Sequence, residues 1–199
     1  MEIDFQKLLH HQPYQLEILG EEIFIDDGVF APDPNLTYSP YIILNRLPNV
    51  KNKKVLDMGT GTGLIAIVCA RNGAEVVAVD IDNKAINNAK ENISRNGVQV
   101  TLLKSNLYEK VSDKFDFIFA NLPILDDIWD KNRKTTSLVE KFLKESRSHL
   151  NEKGKIYLPW FSASDTQEIK RIINDLNYQV EEFVEERLGF QWYLFVLSV

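Results

Sequence analysis

The chain has 199 residues, 44% hydrophobic and 26% charged, a balance that suits one α/β domain and excludes both wholesale disorder and a second full domain. No run approaches the ~20 apolar residues of a membrane span, the first ten residues lack the apolar core of a secretory signal, and one cysteine (Cys69) with three histidines (His10, His11, His149) excludes an internal disulfide and a cysteine zinc cluster. The net charge of −6 falls in residues 1–50, eight acids against two bases, while 51–199 is balanced; a cytoplasmic chain with no membrane partner is expected, and a nucleic-acid partner is disfavoured though a local basic patch stays open.

In chain order, residues 18–30 alternate short apolar runs with Gly20 and Asp27-Gly28, the signal of a hairpin. Pro32 and Pro34 break structure, and a helix is expected over 37–47 with Pro40 in its first turn. From residue 53 strand and helix alternate. Strands are expected at 54–58, 74–80, 98–103, 115–120 and 155–160. A helix over 64–71 is apolar on most sides, and the next carries Ile86, Ala89 and Ile93 on one face. Leu138, Val139, Phe142, Leu143 and Leu150 share a helical spacing in 136–150. Ser164 and Gln167 read as a capping box ahead of Ile169, Ile172, Ile173 and Leu176. Strands at 179–186 and 191–197 flank the short Leu188-Gly189-Phe190 turn, so they pair antiparallel. The pattern predicts a doubly wound, mostly parallel sheet with an antiparallel C-terminal hairpin, and a ligand at the carboxyl ends of the strands.

The segment Val55-Leu56-Asp57-Met58-Gly59-Thr60-Gly61-Thr62-Gly63 leaves a strand and enters a helix. Gly59 and Gly61 permit backbone to approach a ligand, and Gly63 permits close packing of the helix. Asp80 ends the next strand, where a carboxylate accepts the hydroxyls of a ribose. A nicotinamide dinucleotide is the competing ligand, but its fingerprint wants glycine at the sixth position, which is Leu64 here. Asp57 beside the loop also opposes a pyrophosphate and suits an amine-bearing ligand. The combination points to S-adenosylmethionine (SAM).

On these residues the sequence resembles the class I SAM-dependent methyltransferases. The resemblance implies a Rossmann-like seven-stranded sheet of order 3-2-1-4-5-7-6. It implies that Asp57, Gly59, Thr60, Gly61 and Gly63 hold the methionine end of SAM, that Asp80 holds the ribose and Ile81 packs on adenine, and that Asn106 and Leu107 meet the adenine edge. Asn106 stands where the family usually has Asp.

Ala120-Asn121-Leu122-Pro123-Ile124 is similar to the Asn-Pro-Pro-aromatic corner of methyltransferases that modify planar amides or exocyclic amines. The resemblance makes Asn121 and Pro123 the catalytic pair, with Asn121 also beside the cofactor. Leu122 replaces the first proline and Ile124 the aromatic, which removes a stacking ring; Trp129 is a candidate replacement. The basic run at 131–134 reads as a solvated loop balanced by Asp126, Asp127 and Asp130 rather than a phosphate clamp.

Residues 12–37, with Gln12-Pro13-Tyr14-Gln15, Ile18-Leu19-Gly20 and Ala31-Pro32-Asp33-Pro34-Asn35-Leu36-Thr37, resemble the approach to the domain in protein-glutamine N5-methyltransferases of the release-factor type. The resemblance covers roughly 12–160, within the small-domain methyltransferase superfamily. It divides the chain into an N-terminal extension, 1–36, forming part of the substrate cleft, and a SAM-binding domain, 37–199. Glu21, Glu22, Asp26, Asp27 and Asp33 are expected to form an acidic rim that attracts a basic acceptor, and deletion of 1–36 is expected to leave a folded core. The expected reaction is N-methylation of an amide or amine on a protein, such as glutamine, or on a small molecule. The alternatives are methylation of a nucleobase amine in RNA or DNA, and a non-catalytic SAM-binding partner protein.

Overall fold

A computed structural model of the chain describes residues 4–123 and 135–199. Its elements are β1 (Tyr14–Ile18), β2 (Glu21–Ile25), α1 (Ser39–Leu44), β3 (Lys54–Met58), α2 (Leu64–Arg71), β4 (Glu75–Asp80), α3 (Asn83–Arg95), β5 (Thr101–Lys104) and β6 (Phe115–Phe119). After them come α4 (Thr135–Ser146), β7 (Leu150–Phe161), α5 (Thr166–Asp175), β8 (Gln179–Arg187) and β9 (Phe190–Ser198).

Strands β3 to β9 form one seven-stranded sheet in the order β5-β4-β3-β6-β7-β9-β8. β5, β4, β3, β6 and β7 run parallel, and β9 joins β7 and β8 antiparallel. Numbered from the first strand of the sheet, this is 3-2-1-4-5-7-6, as the resemblance implies. The parallel centre is covered on both faces, which is why its strands read as near-continuous apolar runs. On one face α2 buries Leu64, Ile65, Ile67 and Cys69 against Val55, Val76 and Ala78. On the other, α4 and α5 bury Phe142, Leu143, Ile169 and Ile173 against Leu56, Met58 and Ile118. The connections diverge between the adjacent strands β3 and β6, so a crevice opens at their carboxyl ends.

Three elements differ from the sequence expectation. α1 is shorter than 37–47. β7 runs to Phe161 and starts at Leu150, where a helix ending was expected. The cap of α5 is Asp165, whose side chain accepts the Glu168 backbone N–H at 2.9 Å; the cap lies one residue later than the expected Ser164.

The N-terminal hairpin β1–β2 turns at Leu19-Gly20, earlier than Asp27-Gly28 suggested, and forms a separate two-stranded sheet. It is not an independent layer. Ile18, Ile23, Ile25 and Ala31 share one core cluster with Ile42, Ile43, Ile65 and Ala89, so the hairpin and the segment after it are packed into the domain they precede. The outer edge of β2 meets a helix instead of a strand. Asn96 accepts from Glu22 N at 3.1 Å and donates to Glu22 O at 2.8 Å. Asn92 accepts from Phe24 N at 2.9 Å and donates to Phe24 O at 2.7 Å. Asn88 accepts from Asp26 N at 3.4 Å and donates to Phe24 O at 3.0 Å. Alternate residues of a strand advance by about 6.7 Å and a four-residue helical step by about 6 Å, close enough for side-chain amides to stand in for a neighbouring strand.

Candidate functional site

The carboxyl ends of β3, β4, β5, β6 and β7 surround a cavity of 410 Å³. One side of it is the loop between β3 and α2. Gly59 and Thr60 both donate their N–H to Val79 O at 2.9 Å, which ties the loop to β4. Gly61 has φ +53°, donates its N–H to Asp80 Oδ2 at 3.0 Å, and has nothing within 4 Å of where a Cβ would stand, so it presents bare backbone to open space. A Cβ on Gly63 would lie 3.2 Å from Ala89 Cβ, which shows this glycine serving the contact of α2 with α3.

Asp57 and Asp80 end adjacent strands and have different surroundings. Asp57 is buried and does not line the cavity. Its Oδ2 accepts Thr60 Oγ1 at 2.7 Å and Ala66 N at 3.1 Å, while its buried Oδ1 has no partner. Burial pushes its carboxyl up to about 7, against the lowering effect of those two hydrogen bonds. Asp57 thus braces the loop from behind, as does Gly63, and neither faces the cavity where the resemblance puts SAM. Asp80 does line it. Its Oδ1 accepts Asp82 N at 3.0 Å, and burial raises its pKa.

Next to Asp80, Ile81 is 57% exposed at the cavity, an apolar surface with nothing over it. Across from it, Asn106 and Leu107 follow β5. Leu107 holds the left-handed φ of +50°, supported by Ser105 Oγ donating to its carbonyl at 2.9 Å. Asn106 Nδ2 donates to Glu109 Oε1 at 2.7 Å, which leaves Asn106 Oδ1 as its remaining acceptor. Asn121, Leu122 and Pro123 follow β6 and line the same cavity. Leu122 is buried against Gly59: a Cβ on Gly59 would come within 3.2 Å of Leu122 Cδ2 and 3.8 Å of Asn121 O. The glycine loop and the Asn121 corner are therefore in direct contact. Ile124, Trp129 and the run at 131–134, with Asp126, Asp127 and Asp130, lie outside the described residues.

The opposite side is apolar and comes from both ends of the chain. Leu8, Phe30, Pro32 and Pro40 close it from the N-terminal segment, Phe161 and Trp192 from β7 and β9. Phe161 pairs with Trp192 across the two strands, with ring centroids 4.6 Å apart. The β6–β7 register sets Phe119 beside Tyr157, and β7 continues past that pair to Phe161. These rings were missed from sequence. The signal present was aromatic residues at the ends of two predicted strands; the missing piece was the register that joins them.

The acidic rim is corrected. None of Glu21, Glu22, Asp26, Asp27 and Asp33 lines the cavity, and Asp80 and Asp82 are the only charged residues among its described lining. Glu21 is buried and takes a two-pronged contact from Arg71, both at 2.8 Å. Asp33 accepts from Asn35 N at 2.8 Å and from Tyr14 Oη at 3.4 Å. Among the described residues no helix is long and apolar enough to cross a membrane.

Residues 21–193 match the family model described as Methyltransferase small domain. The chain is 31% identical over 189 residues to a protein named putative protein N5-glutamine methyltransferase in Methanocaldococcus jannaschii, covering 88% of this chain and 94% of that one. It is 34% identical to a ribosomal protein L11 methyltransferase of Lactobacillus gasseri, covering 82% of this chain but only 51% of that protein. Among solved structures, a ribosomal protein L11 methylase of Lactobacillus delbrueckii subsp. bulgaricus superimposes with a TM-score of 0.69 at 25% identity, over 87% of this chain and 83% of that one. With the strand order and the glycine loop already in place, the chain belongs to the methyltransferase small-domain family, within the SAM-dependent methyltransferases that its loop resembles.

Proposed function

We propose that the chain transfers a methyl group from SAM to the nitrogen of a neutral, planar amide or amine, with a protein glutamine as the favoured acceptor. The observation that carries this reading is the position of Asn121. It stands in the cavity wall against the glycine loop, between the side bearing Asp80 and the uncharged side bearing Phe161 and Trp192. The M. jannaschii relative covers almost the same length of chain and supports a glutamine acceptor.

The residues suit the cofactor: bare backbone at Gly61, a carboxylate with spare lone pairs at Asp80, exposed aliphatic surface at Ile81, and a free amide oxygen at Asn106. Asp80 would hold the ribose, Ile81 and Leu107 the faces of adenine, Asn106 Oδ1 its amine, and Gly59 to Gly61 the methionine end. Bound SAM supplies a methyl group already activated by sulfonium charge, so the protein has mainly to align the acceptor. Asn121 Oδ1 and a neighbouring backbone carbonyl accept the two hydrogens of an acceptor NH₂, which aims its nitrogen at the cofactor. Among the described residues the ring-bearing wall offers no countercharge, so it disfavours a cationic amine. That replaces the basic acceptor expected from the charge of residues 1–50.

The test is transfer of labelled methyl from SAM into cell extract separated into protein, nucleic acid and small molecules. Label is expected in protein. Asn121→Ala should cut turnover about a hundredfold, on the order of 3 kcal/mol, with cofactor affinity held within a few-fold. Label in RNA or DNA would move the assignment to a nucleobase amine. Binding of SAM with no transfer to any fraction would make the chain a non-catalytic partner protein.

A further inference from the structure

Of the three asparagines that α3 and its C-cap extend to β2, Asn92 also reaches the glycine loop, while the Asn96 side chain bonds back to Asn92 O at 2.8 Å. Its Nδ2 donates to Thr62 O at 2.9 Å as well as to Phe24 O. Asn92 is fully buried, and its amide is saturated: two hydrogens given, to the hairpin and to the glycine loop, and Oδ1 occupied by Phe24 N. The Thr62–Gly63 peptide is held at its other end by Gly63 N donating to Thr60 O at 2.8 Å. One side-chain amide therefore fixes the far end of the cofactor loop and the middle of β2 together. Beyond β2 the chain runs straight into Gly28, Val29, Phe30 and Pro32, which line the cavity.

We infer that Asn92 is a positioning residue that couples the cofactor loop to the N-terminal wall of the cavity, an inference that rests on SAM occupying that loop. The amide is planar and rigid. If the loop shifts and carries Thr62 O away, the amide must either lose that acceptor in a buried site or turn and stretch its bonds to Phe24. A ligand that holds the loop in place therefore holds β2 in place. Coupling between two sites is reciprocal, so an amide that transmits loop order to the hairpin also lends hairpin order to the loop. Asn96 offers an internal control: it makes the same pair of bonds to β2 and none to the loop.

The experiment uses S-adenosylhomocysteine, the demethylated cofactor product, with the full chain. Hydrogen exchange at the Phe24 backbone N–H should slow on saturation about tenfold more than exchange in β8, the far edge strand of the sheet. By calorimetry, Asn92→Ala should weaken S-adenosylhomocysteine about tenfold and Asn96→Ala less than twofold, which a general loosening of the hairpin would not separate. Equal affinity in Asn92→Ala and wild type overturns the inference. So does a wild-type chain that binds the ligand while Phe24 exchange stays in step with β8, a result that needs no variant to fold. A wild-type chain that binds no S-adenosylhomocysteine would instead remove the cofactor assignment beneath it.

Discussion

The two sides of the cavity are built in different ways. The side with the glycine loop and Asp80 comes from consecutive strand ends, each side chain a fixed step from its strand, with carboxylates and backbone N–H groups tied to one another. The side with Phe30, Pro32, Phe161 and Trp192 is apolar and draws on segments more than a hundred residues apart. A cofactor common to many enzymes is met by local geometry that one short motif can encode. On the proposed reading an acceptor particular to this chain is met by packing, and packing is a property of the whole fold.

The largest effect tests whether the apolar side can be separated from the rest. Deleting residues 1–36 removes Ile23 and Ile25, both 0% exposed in the central core. Truncating one such isoleucine to alanine costs ~2–5 kcal/mol, against ~5–15 kcal/mol for a whole domain. The deleted chain should show no cooperative melting by circular dichroism, contrary to the expectation from sequence. A folded remnant that still binds S-adenosylhomocysteine would make the N-terminal segment a removable wall.

Asp80→Ala is the next test, on the polar side. Loss of a charge-assisted contact to ligand, together with the Gly61 tether, should weaken S-adenosylhomocysteine by ~1.5–3 kcal/mol, or tenfold to more than a hundredfold. Calorimetry on a chain with native circular dichroism would read it, and an unchanged affinity would remove Asp80 from the cofactor's contacts.

The last test, read against pH, distinguishes Asp57 from Asp80. Burial raises Asp57 from the ordinary carboxylate range to about 7, so in between the folded chain keeps a proton that the unfolded chain has released. This group's contribution to stability is fully present below about pH 4, falls as pH rises to 7, and is flat above it. The slope reaches about 1.4 kcal/mol per pH unit. Asp57→Asn should remove that component: urea titrations from pH 5 to 8 should show the wild type losing ground to the variant up to pH 7. A pH-independent difference between them would mean that Asp57 does not titrate there.

The polar side was legible in sequence because its information is local. Asp57 to Gly63 and Asp80 sit at strand ends that hydrophobic runs locate; the alternation of β and α elements gives the mostly parallel sheet, and its strand order comes from the resemblance that the loop carries. What escaped was everything set by contacts across the fold. Glu21 lies in a strand and reads in sequence as part of an acidic rim; its partner Arg71 ends α2, fifty residues away. Asn88, Asn92 and Asn96 are polar, so they were left off the buried face of α3 that Ala89 and Ile93 define. Yet asparagine at every fourth position, next to buried positions, is a readable pattern once a strand edge is known to need partners. Asp57 was taken for a ligand contact because a sequence gives a carboxylate's place on a strand but not the depth to which α2 covers it.

Cys69 lies in α2, the helix that begins at the glycine loop, and it is buried. Burial, with the Asp57 carboxylate nearby, holds its thiol well above the ordinary value. An alkylating reagent needs both access and thiolate, and the folded chain gives it neither. Because the sequence has one cysteine, any alkylation reports opening around α2 and no other event. The rate of that single reaction is therefore a clock for the helix at the cofactor end of the fold, and a ligand that grips the loop at its head should slow it.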